Sequence, residues 1–207
     1  MQEESPTTAT EVPSSPGGSS GKKKSRPFEV VETIVVALLL AIVIRTTVAE
    51  ARYIPSTSME PTLLVGDRLI VEKLSYYVSK PQRGDVLVFY PPHAGESIGT
   101  GQRILRWLGF TGDAAYIKRV IGLPGETIEI RDGKVLINGE ALEESYIKEP
   151  PYYTSPPLKV PPNALYMMGD NRNNSQDSLK WGPLPVDHII GKAVIRFWPL
   201  PRIGLPL

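Results

Sequence analysis

The amino-acid sequence predicts a mostly β protein, an antiparallel β-sheet domain preceded by one N-terminal transmembrane helix. A single apolar run, Thr33-Ile34-Val35-Val36-Ala37-Leu38-Leu39-Leu40-Ala41-Ile42-Val43-Ile44, follows the basic cluster Lys22, Lys23, Lys24 and Arg26. Downstream, alternating apolar segments are separated by Asp132-Gly133 and Asn138-Gly139, dipeptides that accept the positive φ angles of tight hairpins. The chain holds 21 prolines and 18 glycines among 207 residues, a density that breaks long helices and suits short strands joined by loops.

Residues 1–27 read as a disordered cytoplasmic tail, mostly Ser, Thr, Gly, Pro and Glu before the lysines, with too little apolar surface to fold. The S-x-x-K match at Ser20-Gly21-Lys22-Lys23 falls in this tail and is a chance match. Residues 28–48 read as a membrane anchor. Its uncharged core is shorter than the ~20 residues a span needs. The full length is reached by placing Glu32 near one interface and Arg45 near the other, where a long Arg side chain snorkels. The basic cluster keeps the N-terminal side in the cytoplasm, so residues 49–207 fall on the extracytoplasmic side. A cleavable secretory signal is the rival reading, because Ala49-Glu50-Ala51 is an A-x-A site. The long polar region ahead of the apolar run, and the nearness of Ser58 to any new end, favour an uncleaved anchor.

Residues 49–207 read as the β-rich domain. Arg68-Leu69-Ile70-Val71-Glu72-Lys73-Leu74 is apolar enough for a strand, and Asp85-Val86-Leu87-Val88-Phe89-Tyr90 is a β-branched and aromatic run stopped by Pro91-Pro92. Thr127-Ile128-Glu129-Ile130-Arg131 and Lys134-Val135-Leu136-Ile137 are the two arms of a hairpin, and Ala193-Val194-Ile195-Arg196-Phe197-Trp198 is a last strand. Residues 95–113 interrupt the pattern: Arg103-Ile104-Leu105-Arg106-Trp107-Leu108-Gly109-Phe110 fits a short helix, at a membrane interface or capping a sheet edge. Residues 149–162 are a Pro- and Tyr-rich, extended connection.

Composition excludes several chemistries. A net charge of +1 gives no field that would gather nucleic acid. Without cysteine there are no disulfides, thiolate nucleophiles or thiolate metal sites. No ligand cluster or phosphate-binding loop implies a metal or organic cofactor. The two histidines, His93 and His188, lie in contexts unlike a Ser-His-Asp protease, and there is no G-x-S-x-G elbow.

Three blocks carry the chemistry. They are Ser58-Met59-Glu60-Pro61-Thr62-Leu63, Tyr116-Ile117-Lys118-Arg119-Val120-Ile121-Gly122-Leu123-Pro124-Gly125-Glu126, and Met168-Gly169-Asp170-Asn171-Arg172-Asn173-Asn174-Ser175-Gln176-Asp177-Ser178. A serine is a poor nucleophile until a base takes its proton. A lysine serves only as the neutral amine, which desolvation favours. Lys118 has largely apolar neighbours, whereas Lys73 and Lys80 sit in polar surroundings.

Block for block and in order, with the apolar segment ahead of them, these motifs resemble the type I signal peptidases, the bacterial or thylakoid Ser/Lys family. The resemblance implies a signal peptidase-like β fold and a membrane-anchored serine endopeptidase that removes signal peptides from secretory preproteins after small residues. It implies Ser58 as nucleophile, Lys118 as its base, the Ser58 N–H and the Ser56 hydroxyl as oxyanion donors, and Ser175 as the hydroxyl that orients the lysine. Arg119 and Asp170 match an ion pair behind the site, and Asp177 a buffering acid near the lysine. Ile54, Met59, Leu63 and Ile117 match the walls of shallow substrate pockets, and core packing is their alternative reading. The membrane is a plasma or thylakoid membrane. Two departures stand out: Leu179 replaces an arginine expected to pair Asp177, and Asn173 replaces an acidic residue. Two other readings compete, a self-cleaving repressor-type Ser/Lys protease and a non-enzymatic module that binds extended peptides. The membrane-length N-terminal segment argues against the first, and the intact Ser58 and Lys118 against the second.

Overall fold

The computed structural model describes residues 26–92, 101 and 115–206. Most of the tail, the lysines of the basic cluster, His93 and the short helix expected at 103–110 lie outside the described residues. The chain divides into two compact units, residues 1–38 and 39–207.

Helix α1 (Arg26–Val43) continues into a π-helical turn, Ile44–Val48. The stretch Pro27–Val48, 22 residues with mean hydropathy 2.4, is long and apolar enough to cross a bilayer. Its many β-branched residues weaken helix propensity in water, but a helix satisfies all its interior backbone groups within the segment. At the π turn, the Thr46 hydroxyl bonds the carbonyls of Ile42 and Val43, and the Thr47 hydroxyl bonds that of Val43.

The second unit holds β1 (Ala49–Tyr53), β2 (Arg68–Glu72), β3 (Val86–Phe89), β4 (Tyr116–Gly122), β5 (Thr127–Arg131), β6 (Lys134–Ile137), β7 (Glu140–Ala141), β8 (Ser155–Lys159), β9 (Ala164–Met168), β10 (Leu184–Pro185) and β11 (Ile189–Trp198). Two short helices, α2 (Ser75–Val78) and α3 (Ser178–Trp181), join them. A seven-stranded sheet runs β1-β2-β11-β3-β4-β9-β10 and a four-stranded sheet runs β7-β6-β5-β8. Every strand pairing in both is antiparallel.

Burial follows the alternation of side chains along each strand. On β3, Val86 and Val88 join a cluster with Ile54, Met59, Leu63 and Leu69, while Leu87 and Phe89 join another with Val120, Leu165, Met167 and Leu184. The strand is covered on both faces, which is why its sequence is continuously apolar and not alternating. The β5–β6 hairpin turns at Asp132, φ 53°, and Gly133, φ 72°, the left-handed pair that a two-residue turn requires. A third cluster gathers Ile128, Ile130 and Val135 of the small sheet with Ile121 and Met168 of the large one.

The strands expected at 68–74, 85–90, 127–131 and 134–137 are present, and β11 begins four residues ahead of the expected Ala193. Strands β1, β7, β8, β9 and β10 were not expected. The Ala49-Glu50-Ala51 site is itself strand, pairing with Glu72, Val71 and Ile70 of β2. The extended connection contains β8, an edge strand where Pro156 and Pro157 are tolerated because one side needs no donor. In β9, Ala164-Leu165-Tyr166-Met167-Met168 has weak β propensity and is held by burial of all five residues.

Phe89 is wholly buried at the centre of the large sheet. Phe89→Ala is expected to cost about 3–5 kcal/mol, read as a lowered denaturant midpoint of the detergent-solubilised chain with an unchanged slope.

Candidate active site

Ser58 lies in a tight turn between Ile54 and Leu63, closed by hydrogen bonds from Glu60 N to Thr57 O, 3.1 Å, and from Leu63 N to Met59 O, 2.9 Å. Met59 and Leu63 are fully enclosed in the core and pin the turn from below, and Ser58 is 8% exposed at its top. Lys118 sits in β4, paired with Leu87 of β3 and followed by Arg119, which pairs with Met168 of β9. It is 4% exposed. Its Nζ lies 2.6 Å from Ser58 Oγ and 2.8 Å from the Ile117 carbonyl. Burial lowers the Lys118 pKa from the ordinary 10.5 to about 8, against the opposing pull of the Asp177 and Asp170 carboxylates. At pH 7 that shift raises the neutral fraction from about 1 in 3,000 to about 1 in 10.

The loop from Gly169 to Asp177, between β9 and α3, closes over the turn. Gly169 allows it: a Cβ there would run into Ser175 Oγ and the Ser58 carbonyl. The Asn171 N–H donates to Ser58 O at 3.1 Å, its side-chain amide donates to Thr57 O at 3.1 Å, and the Asn174 amide donates to Thr57 Oγ1 at 2.9 Å. Asp170, wholly buried, accepts from Arg119 Nε at 2.9 Å and Arg119 Nη2 at 2.7 Å, and from the Thr62 hydroxyl at 2.5 Å. Arg119 and Asp170 thus form a buried ion pair.

Ser56 Oγ is 3.3 Å from Ser58 Oγ. The Ser175 hydroxyl oxygen is buried beside Gly169 and, among the described residues, has no hydrogen-bond partner, Lys118 included. Asp177 caps α3: its carboxylate accepts from Leu179 N at 3.2 Å and from Gly169 N at 3.1 Å. Backbone donors meet it where an arginine was expected, and Leu179 packs against the third core cluster. Ile54, Met59, Leu63 and Ile117 share one cluster; Met59 and Leu63 expose nothing, and Ile117 keeps the most surface at 8%. His188 lies with Nδ1 3.2 Å from the Tyr90 carbonyl, away from Ser58.

Thr62, Asn171 and Asn174 were not singled out in the sequence, although all three lie inside the quoted blocks. Arg172 was also missed. It is fully buried and pairs with Glu144, which no motif marks.

A family model described as signal peptidase, peptidase S26, matches residues 28–198. A signal peptidase I of Leptolyngbya laminosa is 51% identical over 203 residues, 98% of this chain and 95% of its own length. A probable signal peptidase I-2 of Synechocystis sp. is 49% identical over 191 residues, covering 90% and 82%. Thylakoidal processing peptidase 1 of Arabidopsis thaliana is 38% identical over 170 residues, 81% of this chain and 47% of its own. A match across nearly the whole described chain, over a β domain whose serine and lysine meet at a buried site, places this protein in the signal peptidase, peptidase S26, family.

Proposed function

We propose that the chain is a membrane-anchored endopeptidase that removes signal peptides from secretory preproteins through a Ser58/Lys118 dyad. The observation that carries this reading is the buried 2.6 Å approach of Lys118 Nζ to Ser58 Oγ. A lysine that bonds a serine and a carbonyl, and no carboxylate, is poised to give up its proton. In the reaction the neutral amine takes the Ser58 proton as Oγ attacks the scissile carbonyl carbon. The tetrahedral oxyanion is met by the Ser58 N–H and the Ser56 hydroxyl. The ammonium returns the proton to the leaving amine, releasing the mature protein and leaving an ester on Ser58. Water, deprotonated by the same lysine, hydrolyses that ester and frees the signal peptide. Ser175 brings an unpartnered hydroxyl to the site, and an ammonium with two acceptors has one proton left to offer it. The substrate lies extended along a strand edge. Preference for small residues is expected where the substrate meets the small exposed surface that Ile54 and Ile117 keep, which leaves no room for larger side chains. Residues 28–48 are the anchor, in a plasma or thylakoid membrane.

Ser58→Ala and Lys118→Ala are each expected to abolish cleavage of a synthetic preprotein by detergent-solubilised enzyme. Lys118→Arg fails as well, because a guanidinium stays protonated; turnover by the Arg variant at even a tenth of the wild-type rate would exclude the lysine as base.

The lowered Lys118 value sets the pH profile. The enzyme must lose one proton to act, so kcat/KM climbs about tenfold per pH unit below about 8 and levels off above it. The unfolded chain holds that proton up to about 10.5, so stability from this group rises with pH between about 8 and 10.5 and is lowest, and constant, below. A kcat/KM profile flat from pH 6 to 9 contradicts the assignment.

The basic cluster preceding the span sets its orientation. Protease added to the cytoplasmic face of sealed vesicles is expected to trim only the tail, and digestion of the region beyond Ala51 from that face would reverse the topology.

A further inference from the structure

The segment between β7 and β8, residues 142–154, is more than a connection. Its ends belong to the two outermost strands of the small sheet, ordered β7-β6-β5-β8. It therefore reaches from one edge of that sheet to the other, and on the way it grips the Gly169–Ser175 loop repeatedly. Glu144 accepts both terminal nitrogens of Arg172, at 2.7 and 2.5 Å, and the hydroxyl of Tyr146 at 2.7 Å. The side chains of Arg172 and Glu144 are 0% and 5% exposed. The Nε of Arg172 donates back to the Gly169 carbonyl at 3.1 Å. Tyr146 lies under the guanidinium of Arg119, 4.1 Å from ring centroid to Cζ, behind the pair with Asp170. The Lys148 N–H donates to Asp170 O at 3.0 Å.

Asn173 adds an outer fastening. Its Oδ1 accepts from Tyr152 N at 3.0 Å, and its Nδ2 donates to Pro150 O at 3.0 Å. Only an amide makes both bonds, since a carboxylate has no proton for Pro150. This accounts for the amide that stands here in place of an acidic residue.

We infer that Glu144 is a positioning residue: through its bidentate pair with Arg172 it fixes the Gly169–Ser175 loop, and so delivers the Ser175 hydroxyl to Lys118. The inference rests on the Ser58/Lys118 reading. Its physical basis is the strength and directionality of a desolvated guanidinium–carboxylate fork. Arg172 is three residues from Ser175, and its own Nε reaches Gly169, where Ser175 Oγ and the Ser58 carbonyl crowd together. An error in placing Arg172 is passed to the hydroxyl with no slack, because the space at Gly169 is already full.

The test is a double-mutant cycle on the full-length, detergent-solubilised enzyme, with kcat and KM measured for a synthetic preprotein. In Glu144→Gln an amide nitrogen faces one guanidinium nitrogen and the fork is broken. It is expected to lower kcat about tenfold with KM within about twofold, the pattern of lost orientation and not of lost binding. In a Ser175→Ala background the same change should cost less than about twofold, since the group it positions is gone. A residue that only holds the fold together would instead cost the same in both backgrounds. Should Glu144→Gln fail to fold, Asn173→Ala, at an exposed position, runs the same cycle, with a kcat loss of about threefold that again vanishes beside Ser175→Ala. Wild-type kcat in both positioning variants, or a full-sized loss in the Ser175→Ala background, overturns the proposal alone. Wild-type kcat in Ser175→Ala removes the role given to that hydroxyl and with it the proposal, and activity surviving Ser58→Ala in a parallel control overturns the dyad reading on which it stands.

Discussion

Lys118 is 4% exposed, and both groups its amine bonds, Ser58 Oγ and the Ile117 carbonyl, are uncharged. A buried ammonium without a touching carboxylate is costly, and losing the proton is its cheapest relief. Two carboxylates stand near enough to oppose this, Asp170 and Asp177. Each is already committed. Asp170 is taken by the Arg119 fork and the Thr62 hydroxyl, and Asp177 by the amides of Gly169 and Leu179. Had either reached Nζ directly, the paired ammonium would have been stabilised, against the role of base proposed for Lys118. The ion pair behind the site therefore does two things: it fills the space beside the lysine with a matched pair, and it holds a carboxylate away from the amine.

Much of this was legible in the sequence. Ser58 and Lys118 are separated by 60 residues, and no spacing rule links them; what found them was the chemistry of each block together with the family resemblance. The hairpin at Asp132-Gly133 was legible because its turn needs positive φ and the sequence supplies it. β9 was not, since Leu and Met do not favour strands and the reason they form one is burial between β4 and β10. β8 was hidden by its prolines, which a sheet edge accepts and a sheet interior would not. Glu144 had no signal at all. It sits in a run of acidic residues that reads as surface, and only the tertiary structure reveals that its partner is a buried arginine.

The two departures from the family pattern have different physical outcomes. At Leu179 the expected arginine is replaced by an apolar side chain that joins the third core cluster. Asp177 keeps its place because helix α3 begins there: an N-cap carboxylate accepts backbone N–H groups, and it needs no cation to be satisfied. At Asn173 the change is from an acceptor-only group to one that also donates, and both of its bonds go to the segment after β7. One departure is met by the loop's own backbone, the other by a neighbouring segment.

The Gly169–Asp177 loop is therefore held by two sets of contacts of opposite kind. Toward the Ser58 turn they are neutral and of ordinary length, made by Asn171, Asn174 and the close approach at Gly169. Toward the 142–154 segment they include a charged and buried one, the pair of Arg172 with Glu144. Neutral bonds of about 1 kcal/mol each do not fix a loop within the fraction of an ångström that the proposed proton transfer between Ser58 and Lys118 requires. A desolvated fork does, because its two parallel bonds set direction as well as distance. The small sheet contributes no side chain to the dyad. Its place in the proposed mechanism is to carry, from both of its edges, the segment inferred to set this loop, which links the hairpin read from the sequence to the proposed chemistry at the serine.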